Sequence, residues 1–322
     1  MGRRAIILAI LRRLLLSAVT LWLLVTFVFL ATEILPGDAL DLTFTADELS
    51  AMPPEALATL RADLGLDQPA AVRYLGFLAN LARLDFGTTL ITGAPVADIV
   101  WYPFRNSLAL AAVTLVVALP LALGLGIASA FLRGRMADRA ISGLVILGYS
   151  IPEFVIGTAL VMVFSVAWPL VPATVTAATQ AALPDLIAAA PLAVVTIVVG
   201  SVAYLTRLLR AGLIEALESD AIERLRLAGL PERRIMMVHA LPSAMLPALT
   251  AAALYTAALV SGLVVVELVF AYPGIGQEIV RAVSTREIPV IQAIAVLAAL
   301  VVIGANLAAD LALLALDPRR RA

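Results

Sequence analysis

The sequence predicts an all-α, polytopic membrane protein with six transmembrane helices. Of its 322 residues, 62% are hydrophobic and 14% are charged, and the mean hydropathy is +1.04. A soluble domain of this length could not bury so much apolar surface. Apolar runs of about 20 residues, the length that crosses a bilayer, recur along the chain. They give six predicted spans, at 14–35, 106–131, 141–167, 188–209, 246–270 and 289–314.

The first apolar run follows four arginines, so it could be read as a cleaved signal peptide. It is longer than a signal core, and no small-residue cleavage site follows it. We therefore expect it to be retained, with residues 1–35 forming a short cytoplasmic segment and the first span.

The positions of the arginines predict the orientation, because cytoplasmic loops of membrane proteins are enriched in positive charge. The connection 168–187 has no arginine, as expected of an outside loop. Most of the arginines form four clusters that all fall on one side of the predicted membrane. Both termini and the 211–245 connection are therefore expected on the cytoplasmic side of a bacterial inner membrane. Those clusters are Arg3, Arg4, Arg12 and Arg13; Arg133, Arg135 and Arg139; Arg207, Arg210, Arg224, Arg226, Arg233 and Arg234; and Arg319, Arg320 and Arg321.

Residues 36–105 form the largest predicted outside segment, which we expect to be a small helical periplasmic cap. Composition alone favours a cap packed on the membrane core over a docking surface for an extracytoplasmic partner. One short helix is expected from Pro54 to position 64, ended by Gly65, and a second begins at Pro69 after a cap by Asp67 or Gln68. The second helix has an apolar face composed of Val72, Leu75, Leu78 and Leu81.

The 211–245 connection predicts an amphipathic helical hairpin on the cytoplasmic side. Gly229 is expected to end its first helix and Pro231 to begin a second. Such a hairpin offers a docking surface on one aqueous side of the membrane. Its apolar stripe, at helical spacing, consists of Leu213, Ile214, Leu217, Ala221, Leu225 and Ala228.

The residue inventory argues against an enzyme. The chain has no cysteine, one histidine (His239), and 22 basic residues that are all arginine. A Walker phosphate-binding loop needs its lysine, so the chain cannot hydrolyse ATP by that route. No catalytic, metal or cofactor site is expected.

Glu33, Glu153, Glu267 and Asp310 lie in or near apolar runs, where ionisable groups often mark a pathway. The favoured interpretation is that all four lie near the ends of helices, where a hydrogen bond at the helix end or contact with the membrane surface satisfies the side chain. Glycines and prolines in the spans, such as Gly126 and Pro152, suit either tight packing or bent helices around a transport cavity.

Several motifs, in order, give the chain a specific resemblance over nearly its full length. They are LPGD at 35–38, LGLDQP at 64–69, DFGTTL at 85–90, SIPEF at 150–154, ELVFAYPGIG at 267–276, and Asn306, Asp310 and LDPR at 316–319. The sequence resembles the inner-membrane permease subunit of bacterial dipeptide, oligopeptide and nickel ABC importers, which are type I importers that depend on a binding protein.

The resemblance implies a permease core at 106–314, a cytoplasmic tail at 315–322, and a hairpin that couples to a separate ATPase. ATP and Mg²⁺ would be used by that ATPase. The family usually has other residues where Ala221, Leu225 and Ala228 stand, so contacts with the ATPase would differ in detail. The implied coupling residues are Leu213, Leu217, Asp220, Ala221, Leu225, Gly229, Leu230, Pro231 and His239, and the candidates for the translocation pathway are Asn106, Ser150 and Glu153.

The implied partners are a second, homologous permease, two ATPase subunits, a substrate-binding protein and membrane lipid, with no role for nucleic acid. The resemblance also implies that the cap helps to receive the binding protein, which reverses the preference from composition alone. The expected solute is a di- or oligopeptide; nickel, glutathione or another small solute is the alternative within the same machine. A proton-coupled secondary transporter is the alternative class, although neither a deep ionisable relay nor repeated halves are visible. A non-transporting scaffold would leave the bent, glycine-bearing spans without a use.

Overall fold

The computed structural model describes residues 3–34, 46–63 and 68–316. The expected all-α class is confirmed for these residues, since their only β-type pairing is an isolated bridge between Thr88 and Pro95. In chain order the helices are α1 Arg3–Ile34, α2 Ala46–Ala51, α3 Pro54–Asp63, α4 Ala70–Ala82, α5 Val96–Phe131, α6 Met136–Ser150, α7 Glu153–Val161, α8 Leu183–Ala188, α9 Pro191–Leu217, α10 Asp220–Leu227, α11 Glu232–Arg234, α12 Leu241–Val269, α13 Ile275–Ser284 and α14 Ile288–Leu316. Two π-helical segments, Met162–Ala167 and Ile235–Ala240, follow α7 and α11.

Within the described residues, four helices are long and apolar enough to cross a membrane, at Ile10–Ala31, Val96–Phe131, Pro191–Leu217 and Ile288–Leu313. The pair Met136–Ser150 and Glu153–Ala167 adds a fifth span if the two helices are counted together. Helix α12 coincides with the predicted span at 246–270.

Helix α5 begins well before the predicted position 106. Pro95 immediately precedes its first turn and Asp98 lies in that turn, both of which favour a helix start. The charged Arg105 is accommodated inside the helix because its guanidinium donates to the carbonyl of Ala181 at 2.8 Å and lies over the Tyr102 ring. A charge near the end of a span therefore did not mark the end of the helix.

The predicted span at 141–167 corresponds to two helices, because α6 and α7 are bent by 98° relative to each other. The bend lies at Ile151 and Pro152, where Ile151 is extended with φ −91° and ψ 125°. Proline disfavours the helical conformation of the residue before it and lacks an N–H for the helix ladder.

Helix α9 lies at the centre of the structure and packs against α5, α6, α7 and α12. Its buried face joins a core that includes Leu110 of α5, Ile197 of α9, and Val266 and Phe270 at the end of α12. A second core holds α13 and α14 against the start of α5, and includes Val96 and Ile294. The third core, which includes Leu209, Leu213, Met236 and Ala240, lies where the 211–245 connection leaves the spans.

Helix α1 packs along α14, and an Arg13–Asp310 ion pair joins them. Helix α4 lies against α1 through the ring of Phe29, whose centroid is 5.3 Å from Tyr74 and 5.7 Å from Phe77. The predicted apolar face of α4 is therefore only partly correct. Tyr74 and Phe77 make the contact, whereas Val72 and Leu75 stay exposed.

Some predictions fall outside the described residues. They concern the helix stop at Gly65, the helix cap at Asp67, the motif at 35–38 and the tail from 317 onward.

Candidate functional site

The 211–245 connection folds as a helical hairpin, but its first half is not one helix. Helix α9 continues to Leu217, the chain turns at Glu218 and Ser219, and α10 begins at Asp220. Ser219 is extended, with φ −71° and ψ 147°, and this interrupts the helical phase. The predicted single stripe from 213 to 228 is therefore wrong.

The break changes which side chains of α10 face outward. Ile222 is buried, with 4% of its surface exposed, and Leu225 is half-buried. Leu227 is 83% exposed, and Ala221 and Ala228 are exposed as well. Leu227 is absent from the predicted stripe because that stripe was drawn through an unbroken helix.

The end of α10 is fixed by its glycine. Gly229 has φ +80°, in the left-handed region that side chains with a Cβ rarely adopt. The Gly229 amide donates to the Arg226 carbonyl at 2.9 Å, and the Leu230 amide donates to the Leu225 carbonyl at 3.1 Å. This pair of bonds is a Schellman motif. Pro231 is the residue immediately before α11.

Arg226 joins the parts of the hairpin to each other. Its Nε donates to Glu232 at 2.8 Å, and Nη1 donates to the Leu217 carbonyl at the end of α9, at 3.2 Å. The hydrogen bond to Glu232 raises the pKa of Arg226 above its ordinary value. An Arg133–Glu218 ion pair links the turn of the hairpin to the loop between α5 and α6.

The base of the hairpin is held by a buried carboxylate. Asp138 accepts from Arg210 on α9, from Ser129 at 2.6 Å, and from the Gly134 amide at 3.0 Å. The ends of α5 and α9 nearest the hairpin and the start of α6 therefore meet at one polar centre.

The structure divides the predicted coupling residues by exposure. Leu213 is fully buried in the core beneath the hairpin. Leu217, Leu225, Leu230 and His239 are half-buried. Asp220, Ala221, Gly229 and Pro231 are exposed and are available for contact, together with Leu227.

The bend between α6 and α7 carries a second candidate site. Glu153 is the first residue of α7, and its carboxylate lies against two glycines. A Cβ at Gly200 of α9 would meet Oε1 of Glu153 at 3.0 Å, and one at Gly262 of α12 would overlap Oε2. Gly200 is nine residues into α9, about 14 Å along its axis, which would be the middle of a bilayer about 30 Å thick if α9 begins at the membrane surface. Glu153 is at a helix end, as expected, but that end packs against the interior of α9 and α12.

Three tyrosines and an arginine form a row of contacts, and Tyr255 at one end of the row lies within electrostatic reach of Glu153. Tyr255 and Tyr204 are stacked with their ring centroids 4.6 Å apart, and Tyr149 lies 6.2 Å from Tyr204. The Arg207 guanidinium lies 4.1 Å from the centre of the Tyr149 ring. The Tyr255 hydroxyl also lies 3.1 Å from the Ser201 hydroxyl. We call Glu153, Tyr255, Tyr204, Tyr149 and Arg207 the polar ladder.

The other two pathway candidates differ sharply from each other. Ser150 is exposed at the end of α6, next to the bend. Asn106 is fully buried: its amide donates to the carbonyls of Thr179 and Pro273 at 2.9 and 2.8 Å. Its own carbonyl accepts from the Tyr272 hydroxyl at 2.8 Å. Asn106 thus joins α5 to two loops at the end of the molecule opposite the hairpin.

Glu267, near the end of α12, contributes to the same junction of α5 with the two loops. Its carboxylate accepts from the Ser107 hydroxyl and from the Gly276 amide, and the Ser107 oxygen accepts from the Ile275 amide at 2.8 Å. Beside the junction lies a cleft of about 240 Å³, whose lining includes Asp98, Gln180 and Glu278. In the described part of the chain, no three histidine or carboxylate side chains are grouped to hold a metal ion.

Comparison with known proteins gives the family. The family model described as "Binding-protein-dependent transport system inner membrane component" matches residues 122–322, and its N-terminal companion matches residues 6–126. Such membrane components are transport channels rather than enzymes, and in general they work with an ATPase and a substrate-binding protein.

Three relatives cover almost the whole chain. A probable peptide ABC transporter permease of Sinorhizobium fredii is 30% identical over 97% of this chain and 98% of its own length. A glutathione transport system permease of Salmonella typhimurium is 33% identical, with the same coverage. A dipeptide transport system permease of Escherichia coli is 30% identical over 92% of this chain and 93% of its own. The chain belongs to the family of inner membrane components of binding-protein-dependent transport systems and is a permease subunit of an ABC importer.

Proposed function

We propose that this permease imports di- or oligopeptides and is driven by a separate ATPase that docks on the hairpin formed by α10 and α11. The peptide assignment rests on two relatives whose names specify peptide and dipeptide transport. The name of a third specifies glutathione, itself a small peptide, so glutathione is the alternative solute.

The single observation that carries the coupling proposal is the exposure of Leu227. A leucine that is 83% exposed, with the exposed Ala228 next to it in the chain, places apolar surface on the outside of a charged hairpin. An apolar helix face that docks in a groove provides affinity, and flanking charges such as Asp220 provide orientation. Asp138 and Arg226 would then pass a movement of the ATPase to the spans as a rigid displacement.

The proposed organisation has six spans, namely α1, α5, the bent pair α6 and α7, α9, α12 and α14, with both termini in the cytoplasm. Residues 1–35 form the N-terminal unit, 36–105 a periplasmic cap, 106–314 the permease core and 315–322 a cytoplasmic tail. The complete importer would contain a second, homologous permease, two ATPase subunits and a binding protein that docks at the cap side. Half of the pathway would then belong to this chain.

We place the pathway along the bend and the polar ladder. A carboxylate facing lipid is costly, and irregular backbone at membrane depth occurs only against protein or a water-filled cavity. Ser150 and Ile151 are exposed and Glu153 is half-buried, so this face needs a cavity or a second permease beside it. The saturated hydrogen bonds of Asn106 favour a positioning role for that residue.

The coupling proposal is tested with Leu227→Glu. The variant is expected to lose most of the ATPase that co-purifies with wild-type permease, and ATP-driven peptide uptake with it. Leu170→Glu is the matched control, because Leu170 is 70% exposed but lies in the connection that we place outside. Retention of the ATPase by Leu227→Glu would contradict the docking assignment.

The orientation is tested separately, using the absence of cysteine from the chain. The single thiol of a Leu170→Cys variant is expected to react with an impermeant maleimide added outside intact spheroplasts. The single thiol of a Leu227→Cys variant is expected to react only after the membrane is opened. The opposite pattern would invert the topology.

A further inference from the structure

We propose that Glu153, with the tyrosines of the polar ladder, binds the protonated amino group of the solute as it passes through the membrane. This inference rests on the proposed function and specifies the chemistry of the pathway. The ligand class is a primary ammonium, which peptides and glutathione share.

The charge of Glu153 is unsatisfied. Among the residues that the structure describes, none forms a hydrogen bond or ion pair with its carboxylate. Three other carboxylates near the spans are engaged: Asp310 pairs with Arg13, Asp138 with Arg210, and Glu267 accepts two hydrogen bonds. A half-buried carboxylate at mid-membrane depth gains most from a cationic partner, and the described part of this chain supplies none.

The fold leaves space around the Glu153 carboxylate. Gly200 and Gly262 come from two different spans, and a side chain on either would press on the Glu153 oxygens. The two glycines therefore let the carboxylate lie between α9 and α12 rather than point away from them. Binding sites in membrane transporters often form at broken helices near mid-depth, and the 98° bend at Pro152 is such a break.

The surroundings of Glu153 are aromatic. Tyrosine rings attract cations through their π faces. Tyr255 lies within electrostatic reach of Glu153 and is stacked on Tyr204, while the ring of Tyr149 is already covered by Arg207. Arg207 lies seven residues beyond Gly200, about 10 Å along α9. The ladder thus runs from a free carboxylate to a guanidinium, a polarity that matches a zwitterion with its ammonium at Glu153.

The test uses proteoliposomes that contain the complete importer, its binding protein, ATP and radiolabelled L-alanyl-L-alanine. Glu153→Gln keeps the size of the side chain and removes its charge. It is expected to lower the number of peptides imported per ATP hydrolysed about tenfold, as expected for the loss of a hydrogen bond between charged groups. Asp310→Asn, which removes a carboxylate on α14 away from the polar ladder, is the matched control and should have a smaller effect.

A second experiment restores the charge at position 153, and it therefore distinguishes loss of the charge from misfolding of the glutamine variant. Because the chain has no cysteine, Glu153→Cys introduces a unique thiol in this subunit. Modification with a sulfonatoethyl methanethiosulfonate places a negative group there, whereas the trimethylammonium reagent of similar size places a positive one. The anionic adduct is expected to regain import and the cationic adduct to lose it further, while neither reagent affects wild type.

The outcomes separate the two proposals. Import by Glu153→Gln at the wild-type ratio, or equal effects of the two reagents on Glu153→Cys, would overturn the ammonium site and leave the importer assignment intact. Failure of the wild-type complex to import dialanine with ATP and its binding protein would instead contradict the proposed peptide function.

Discussion

Arg210 donates two parallel hydrogen bonds to the Asp138 carboxylate, from Nε at 2.9 Å and from Nη2 at 3.0 Å. The pair crosses from α9 to the start of α6 at the level where the hairpin begins. Because Asp138 is buried and the fork is bidentate, this contact has a defined geometry that exposed ion pairs lack.

The Asp138–Arg210 pair is expected to stabilise the fold. Asp138→Asn leaves a partly buried guanidinium without its counter-charge, which typically costs about 3 kcal/mol. The measurement is the apparent melting temperature of the purified complex in detergent, which should fall clearly. Glu278→Gln, which breaks the more exposed pair with Arg281, is the control and should cost less than about 1 kcal/mol. Equal melting temperatures for the two variants would contradict this prediction, because the Asp138 pair would then stabilise the fold no more than the exposed pair does.

The hairpin turn depends on the left-handed backbone of Gly229. A Cβ at this position meets no atom within 4 Å, so any effect of substitution arises from backbone conformation alone. Gly229→Val is expected to cost about 2 kcal/mol locally and to reduce ATP-driven uptake and ATPase binding together. Gly229→Asn, a residue tolerated at helix ends of this kind, should retain most of both. If valine and asparagine behave alike, the turn geometry is not what the ATPase recognises.

Ser107 supports two partners in the junction opposite the hairpin. Ser107→Ala removes a donor to Glu267 and the acceptor of the buried Ile275 amide. Leaving such groups unsatisfied costs about 2–3 kcal/mol, which should appear as a lower melting temperature. The control Ser284→Ala removes an exposed hydroxyl that donates to a carbonyl of its own helix, and it should change stability little.

Gly262 is expected to matter only through Glu153. Gly262→Ala forces the carboxylate away from α12, so it should lower import per ATP in the same direction as Glu153→Gln. Gly124→Ala is the matched control, since a Cβ there meets nothing within 4 Å and alanine favours the helix over glycine. Full import by Gly262→Ala would weaken the argument that the glycines create the site.

The sequence predicted the helical class, the family and the existence of the hairpin, because composition, arginine placement and ordered motifs are local signals. It did not predict which side of α10 faces outward. That depends on the turn at Glu218 and Ser219, which shifts the helical phase so that Ile222 is buried and Leu227 is exposed. A helical stripe can be read correctly only between true helix ends.

The environment of Glu153 could not be predicted from the sequence either. It depends on contacts with Gly200 and Gly262, which lie far away along the chain. Asn106 shows the converse case: a polar residue at the edge of a span suggested a pathway, but tertiary contacts satisfy all its polar groups. A buried polar side chain is informative only when its partners are known.

The bend at Pro152 has a consequence for how the protein is made. Each half of the bent pair, Met136–Ser150 and Glu153–Ala167, has 15 residues, about 22 Å of helix, which is too short to cross a bilayer about 30 Å thick. In the proposed arrangement neither half spans the bilayer by itself, so the two halves must enter it together. The Glu153 carboxylate gains its neighbours Gly200 and Gly262 only when α9 and α12 pack beside the bend. The site around Glu153 is therefore completed by segments that are synthesised after it.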